Sequence, residues 1–396
     1  MGEFAQRAEI ADSETLKINN DVMNLRKKGI DVIPFVAGEP DFDTPEIIKN
    51  AAIEAIYNNY THYTNVAGIS ELREKIVEKL KNENNLNYSS EEIIVGCGAK
   101  QNITNALLAL IDNQDEVMIP SPYWVSYIAM VEICNGKPII VKTTSETNYK
   151  VNYEILKKAY NKTCKVLILN SPSNPTGAVY TLDELKEIGK FCLENNIYII
   201  SDEIYEKLIY DNMSHVSIAS LSKELWERTI VINGFSKSFA MTGWRVGYSA
   251  APLRITKVMK KIQANMTSHT SSISQYAAVK AFSLGNSFYE TLRITFEKRR
   301  NYILEQLSNE KLIKIVKPHG AFYIFIDFSD VFGKSYKGNK IESDTDLYNI
   351  LLNEFKVALV PGSAFGDPNC MRLSYSYNMD TISEGIKRIK DFLHRL

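Results

Sequence analysis

Lys237 and Arg245 stand eight positions apart in "NGFSKSFAMTGWRVGY" (233–248), a stretch with no other charged residue. Cations avoid so apolar a setting unless something negative or covalent holds them. A lysine amine with a lowered pKa condenses with a carbonyl compound and, once freed, carries protons as the neutral base. An arginine offers a planar fork of donors that grips a phosphate. Its plainer use is to pair with a helix-terminal carbonyl or a buried acid.

The segments around these residues must position them. Short apolar runs at Ile93–Val95, Glu116–Ile119, Pro138–Lys142, Lys165–Leu169, Ile197–Ile200 and Thr229–Ile232 read as buried strands. Helical periodicity marks Glu46–Tyr57, Ser70–Leu80, Lys100–Leu110, Val125–Cys134, Tyr153–Tyr160 and Leu182–Glu194. Strands alternating with helices predict an α/β fold with a mostly parallel sheet flanked by helices. From about Asn286 the pattern shifts to a long charged helix, Phe288–Leu307, then scattered elements and an amphipathic helix over Thr381–Leu396. The expected organisation is an N-terminal arm with part of a small domain (1–45), a large domain (46–285) and a smaller α+β domain (286–396). The polar start of the chain reads as an arm.

In such sheets ligands collect at the carboxyl ends of the strands. Five of these ends carry chemistry: Gly96-Cys97-Gly98-Ala99-Lys100, then Trp124, then Asn174, then Asp202 with Tyr205, and last Ser236-Lys237. A glycine turn opening a helix offers free N–H groups and a positive helix end to a phosphate, though a plain tight turn fits as well. A dinucleotide site does not fit, because the third glycine of the fingerprint is missing and no acid closes the strand that follows about twenty positions on. Asp202 reads either as a helix N-cap or as the partner of a protonated heterocycle nitrogen. Tyr205 and Asn174 would then serve a phenolate oxygen and Trp124 a ring face, unless Trp124 is simply core. Phosphate, pyridinium, phenolate and aldehyde together describe pyridoxal 5′-phosphate, with Lys237 as its Schiff-base anchor and Arg245 as its phosphate clamp.

The rest of the 396 residues excludes other classes. Lys and Arg total 46 against 47 Asp and Glu, so no basic face invites nucleic acid or an acidic membrane. The longest apolar runs are too short to span a bilayer, and neither a myristoylation pattern nor a signal-peptide core is visible. Five cysteines without a CxxC pair point to a reducing compartment, hence the cytoplasm, and to neither disulfides nor zinc. The five histidines show no metal-ligand spacing, so no metal is expected.

Eight motifs carry a family resemblance: "AGEPDFDTP" (37–45), "YTNVAGISELR" (63–73), "GAKQ" (98–101), "SPYWVSY" (121–127), "NSPSNPTGAVY" (170–180), "SDEIYEKLIY" (201–210), "SKSFAMTGWRVGY" (236–248) and "RLSYS" (372–376). With them the chain, from Ile33 to its last helix, resembles the fold-type I pyridoxal-phosphate-dependent aminotransferases of class I/II, and among these the bacterial-type aspartate aminotransferases. The resemblance implies Lys237 as the anchoring lysine, Asp202 at the pyridine nitrogen, Tyr205 and Asn174 at the phenolate oxygen and Trp124 on the ring. It implies Gly98, Ala99, Lys100 and Arg245 at the phosphate, together with Tyr63 from a neighbouring subunit, hence a homodimer with shared active sites. It further implies that Arg372 grips the substrate α-carboxylate and that Gly38 lies against the substrate. A guanidinium suits a carboxylate on its own chemistry, a surface salt bridge being the plainer use of Arg372.

Two departures stand out. Many relatives carry a serine phosphate ligand three positions before the lysine, where this chain has Gly234; Ser236 is the substitute within reach. Related enzymes often read Lys-Pro-Ser-x-Thr near the N-terminus, whereas "ADSET" (11–15) keeps Ser13 and Thr15 but has Asp12 in place of the lysine. In the family that lysine accompanies the use of prephenate, so its absence counts against that second substrate. Lys100, Ser13 and Thr15 are the implied site for a distal side-chain carboxylate, unless Lys100 is only a solvated first-turn residue. The implied reaction moves the amino group of L-aspartate to 2-oxoglutarate by a ping-pong mechanism. The same fold also serves aromatic or kynurenine-type aminotransferases, β-lyases and non-catalytic ligand sensors, the last requiring a DNA-binding module for which no segment is long or basic enough.

Overall fold

The computed structural model describes residues 5–11 and 14–396. Seven strands make the larger sheet: β1 (Ile93–Gly96), β2 (Glu116–Ser121), β3 (Lys137–Lys142), β4 (Cys164–Asn170), β5 (Tyr198–Asp202), β6 (Thr229–Gly234) and β7 (Gly247–Ala250). Their spatial order is β1-β7-β6-β5-β4-β2-β3. Pairings are parallel except that β7 runs antiparallel to both of its neighbours. The central strands are apolar on both faces because both faces are covered. Alternation shows in β4, where Ile168 packs with Leu107 and Met259 on one side while Leu167 and Leu169 pack with Phe191 on the other.

Six of these strands fall where the apolar runs predict them, with ends shifted by one or two residues. β7 does not announce itself, since "GYSA" has no apolar run. Its antiparallel course decides the placement of Arg245. Gly247 pairs with Gly96 on one side and Gly234 on the other, so the residues just before β7 emerge at the same rim as the ends of the parallel strands.

Beyond residue 286 a four-stranded antiparallel sheet forms from β8 (Lys314–Ile315), β9 (Tyr323–Asp327), β10 (Val360–Pro361) and β11 (Cys370–Ser374), in the order β10-β11-β9-β8. The helices Asn286–Leu307 and Met379–His394 pack with it, the latter burying Ile382, Ile386, Ile389 and Leu393 at helical spacing. The start of the chain joins this core rather than the large sheet. Ile33–Pro34 pairs in parallel with Val357–Ala358. The arm also contains a helix, Glu14–Lys27, with Ile18 and Val22 buried. Its single short apolar seam explains why polarity masks it in the sequence. Ser13 lies outside the described residues, as does Asp12. No helix among the described residues is long and apolar enough to cross a membrane.

Candidate active site

A cavity of about 710 Å³ opens where the carboxyl ends of β1, β2, β4, β5 and β6 face the N-terminal segment and β11. That volume is of the size that holds a cofactor with a small substrate. Of the residues singled out in the sequence, Lys237, Asp202, Tyr205, Asn174, Trp124 and Ser236 line it. So do Ala99, Lys100 and Arg245 at one end, and Gly38, Thr15 and Arg372 at the other side. Gly98 stands directly behind Arg245 rather than on the cavity wall. Tyr63 is not part of it in this chain: it lies 92% exposed, its ring edge-on to His269.

Asp202 ends β5 and is almost fully buried. Burial drives its carboxyl up to about 6, against the pull of two donors. The Tyr127 hydroxyl donates to Oδ2 at 2.7 Å and the Ile204 N–H to Oδ1 at 3.3 Å. The second bond is an Asx-type turn contact, so Asp202 caps a turn rather than a helix, and the residue still lines the cavity. Beneath it, Glu203 is locked by the hydroxyls of Ser201 (2.9 Å) and Ser217 (2.6 Å) and by His215 (2.8 Å), which fixes the turn between Asp202 and Tyr205.

Lys237 follows β6 and donates its ammonium to the Gly38 carbonyl. Burial lowers its pKa to about 8, with Glu39 opposing the shift and Arg372 and Arg245 adding to it. Tyr205, buried, shares a hydrogen bond with the Tyr323 hydroxyl at 2.9 Å. Asn174 is held by its own backbone N–H, which donates to Asn170 Oδ1 at 2.9 Å, and Asn170 in turn donates to the Asp202 carbonyl at 2.9 Å. The ends of β4 and β5 are thereby tied into one frame.

The far end is a cradle for an anion. The helix Gly98–Leu110 starts two residues earlier than its periodicity predicts, which puts Gly98, Ala99 and Lys100 in its first turn. Its N-cap, Cys97, gives no side-chain cap, and Gln101 Oε1 takes only the Cys97 N–H, so the first-turn N–H groups stay available at the positive helix end. Arg245 donates to the Thr242 carbonyl at 2.7 Å and holds a left-handed φ of 56°. Such a conformation is costly for a residue with a side chain and persists where surroundings impose it, commonly at ligand sites. A methyl group on Gly98 would strike the Arg245 guanidinium, and one on Gly247 would come within 2.5 Å of the Ala99 nitrogen. Glycine at both places lets guanidinium and helix turn converge. Gly234 has a similar reason: a Cβ there would lie 2.9 Å from the Gly247 Cα, so no serine fits without a shift, and Ser236 is the hydroxyl that lines the cavity.

Arg372 in β11 is buried, donating to Asn174 Oδ1 at 3.0 Å and to the Val36 carbonyl at 2.9 Å. Its Nε has no partner, and no carboxylate pairs with it among the described residues. The surface salt bridge is thus excluded. Lys100 lies over the Trp124 ring at 5.0 Å, and burial together with Arg245 lowers its pKa.

Sequence reasoning assigned no role to Tyr127, Tyr323, Tyr377 or Glu39, all of which line the cavity. Tyr127 had a signal, since it stands three residues after Trp124 at a helix start. Tyr323 had none, being one aromatic in an apolar strand.

A mostly parallel sheet flanked by helices, with a second sheet closing over its carboxyl rim, is the architecture of the fold-type I transferases. Residues 30–389 match the family described as aminotransferase class I and II, and the chain belongs to that family. It is an enzyme of amino-group transfer. The chain is 44% identical over 384 residues to an aspartate aminotransferase of Bacillus sp. (strain YM-2), covering 97% of each. It is likewise 44% identical over 391 residues to a probable aspartate/prephenate aminotransferase of Aquifex aeolicus (strain VF5), covering 98% of each. Its fold matches the crystal structure of the aspartate aminotransferase from Rhizobium meliloti with a TM-score of 0.96, at 38% sequence identity over 100% of both chains.

Proposed function

We propose that the protein is a pyridoxal 5′-phosphate-dependent aspartate aminotransferase, moving the amino group of L-aspartate to 2-oxoglutarate in two half-reactions and giving oxaloacetate and L-glutamate. The observation that carries this reading is a buried guanidinium without an acidic partner, Arg372, in the same cavity as a lysine of lowered pKa, Lys237. An α-carboxylate supplies the missing anion and so sets an α-amino group beside the lysine. The names of the relatives support aspartate as the substrate, and Lys100 on the cavity wall supplies a cation for its second carboxylate.

The donor set fits the cofactor. Asp202 would face a ring nitrogen as its carboxylate partner, Tyr205 and Asn174 would serve a phenolate oxygen, Trp124 a ring face, and the Gly98–Lys100 turn with Ser236 and Arg245 a phosphate. Pyridoxal phosphate, when bound, supplies an electron sink for charge developing at the substrate α-carbon. Lys237 would remove the α-proton as the neutral amine and hand it to the cofactor carbon that bore the aldehyde, work typically worth about 10²–10⁴-fold in rate. Asp202, ionised, keeps a proton on the ring nitrogen. Tyr205 and Asn174 hold the ring in register with Lys237. Arg372 and the Gly38 backbone orient the substrate, and Thr15 joins Lys100 at the distal carboxylate.

The active form is a cytoplasmic homodimer in this reading. Tyr57, Tyr63, Ile53 and Ile56 are exposed apolar groups that a partner subunit covers, and Tyr63 reaches the partner's phosphate end. Residues 46–285 act as the large cofactor-binding domain and 286–396, with 1–45, as the smaller one.

The test is a single half-reaction. Protein loaded with pyridoxal phosphate and given L-aspartate alone releases one oxaloacetate per site and loses the cofactor's yellow colour. Release of ammonia with turnover beyond one per site would mean a lyase. A yellow protein inert to aspartate but bleached by an aromatic amino acid would move the assignment within the family.

A further inference from the structure

Asp202 receives its strongest hydrogen bond from a residue outside the set described above. The Tyr127 hydroxyl lies 2.7 Å from Oδ2, and both side chains are buried. Tyr127 comes from the first turn of the helix Ser126–Ile133, which follows β2, and β2 is separated from β5 by β4. The hydroxyl therefore reaches across one full strand to meet the carboxylate. Trp124 supplies the other end of the same turn: its carbonyl accepts the Tyr127 N–H at 3.0 Å, and the two rings meet edge to face at 5.4 Å. One turn thus presents a flat face and a hydroxyl donor to the same place.

We infer that Tyr127 is a positioning residue for amino-group transfer, holding the Asp202 carboxylate ionised and aimed so that a proton stays on the heterocycle nitrogen it faces. The inference rests on the pyridoxal phosphate reading and adds to it a residue which that reading leaves without a role. The chemistry has a definite sign. A carboxylate that accepts an O–H bond is a weaker base, because its charge is already partly satisfied. Paired with a ring nitrogen, the weaker base leaves the proton on the ring. Without Tyr127 the carboxylate would draw that proton to itself, and the electron sink would weaken.

The other groups facing Asp202 do not replace this bond. The Ile204 N–H binds the opposite oxygen at 3.3 Å. Glu203 raises the carboxyl and Lys237 lowers it, both through space, while the Tyr205 hydroxyl bonds that of Tyr323. Burial has already pushed the Asp202 carboxyl up, so one lost donor moves it further in the direction that harms the ring proton.

The variant Tyr127→Phe keeps the ring and removes only the hydroxyl. Its test uses the full-length protein loaded with pyridoxal 5′-phosphate carrying ¹⁵N in the ring. In the parent protein the nitrogen resonance should sit at the protonated position at neutral pH. In Tyr127→Phe it should move toward the unprotonated position, with kcat down about 10- to 100-fold, as expected for one bond to a charged acceptor, and KM little changed. Tyr127→His, which retains an N–H donor, should recover part of the shift and guards against a folding defect in the first variant. In the apoprotein, a ¹³C-labelled Asp202 carboxyl should titrate higher in Tyr127→Phe than in the parent. A loaded Tyr127→Phe whose nitrogen resonance and kcat match the parent would overturn the inference while leaving the cofactor reading intact. Failure of the parent protein to take up pyridoxal phosphate would overturn both.

Discussion

Arg372 and Asn174 are joined by a hydrogen bond of 3.0 Å between residues 198 positions apart. The bond ties β11 of the small sheet to the loop after β4 of the large one, and it crosses the cavity. It also uses a charged donor on a neutral acceptor, which leaves the positive charge of Arg372 uncompensated in a buried place. The rings of Tyr323 at 4.5 Å and Phe365 at 5.0 Å soften that charge without neutralising it. A buried cation held so is a receptor waiting for an anion.

Arg372→Lys should therefore fail in a particular way. A lysine keeps the charge but loses the planar fork that holds a carboxylate in one orientation. Loss of a buried charge-paired contact costs about 3–5 kcal/mol, or roughly 10²–10⁴-fold in kcat/KM. Steady-state kinetics should show that loss for every amino acid tried. For a simple amine without an α-carboxylate, the parent and the variant should react alike. An equal defect on the amine would mean that Arg372 shapes the fold rather than grips the substrate.

Asp202 gives a prediction for the protein without cofactor. Its carboxyl rests at about 6 in the folded chain against 3.8 for an ordinary aspartate, mainly through burial. Between those two values the folded state binds more protons than the unfolded one, so stability falls as pH rises through the window and stays lowered above it. Asp202→Asn removes the cost of the buried charge; its amide oxygen keeps one of the two donors, and its NH2 can donate in turn to the Tyr127 oxygen. Thermal unfolding of the two apoproteins should coincide near pH 4 and separate by about 2–3 kcal/mol in favour of the variant at pH 7. Transamination should be lost in the more stable protein. A variant less stable than the parent at pH 7 would show that Asp202 has a compensating charge partner.

Lys237 titrates at about 8, below the ordinary 10.5, chiefly because its amine is buried. Only the neutral amine attacks an aldehyde. Uptake of pyridoxal phosphate by the apoprotein, followed by absorbance, should accelerate about tenfold per pH unit below that value and level off above it. Lys237→Arg should bind the cofactor weakly and reversibly, without the colour change. A rate that keeps climbing past pH 9 would place the attacking amine elsewhere.

The parts of this site that were legible in the sequence share one cause. Asn174, Asp202 and Lys237 each follow a buried parallel strand, where an apolar run ends and a polar side chain stands out. Arg245 follows no strand; it precedes β7, whose glycine-rich start has no hydrophobic signal, so only its charge drew notice. Tyr323 sits among apolar neighbours in β9 and reveals its hydroxyl only when Tyr205 is brought 2.9 Å away by the tertiary fold. The helix Glu14–Lys27 is hidden for the opposite reason: its outward face is so polar that a short seam, with Ile18 and Val22 buried and Leu25 packed against the same core, is lost among charged neighbours. Long-range pairings such as Ile33 with Val357 leave no local trace at all.

Lys100 offers the sharpest question about substrate choice. It belongs to the first turn of the helix at the phosphate end, yet its ammonium lies over Trp124 at 5.0 Å, on the cavity wall and near Arg245, which helps to lower its pKa. Two cations so close repel unless anions come between them, and a phosphate and a distal carboxylate would do this together. Lys100→Ala should then cost aspartate about 1.5–3 kcal/mol, roughly 10- to 100-fold in kcat/KM, the usual worth of a hydrogen bond to a charged group. An aromatic amino acid, which has no second carboxylate and gains an open Trp124 face, should lose little or improve. Kinetics on the two substrates, with cofactor affinity measured alongside, separates the cases. Equal losses on both, tracking weaker cofactor binding, would assign Lys100 to the phosphate alone.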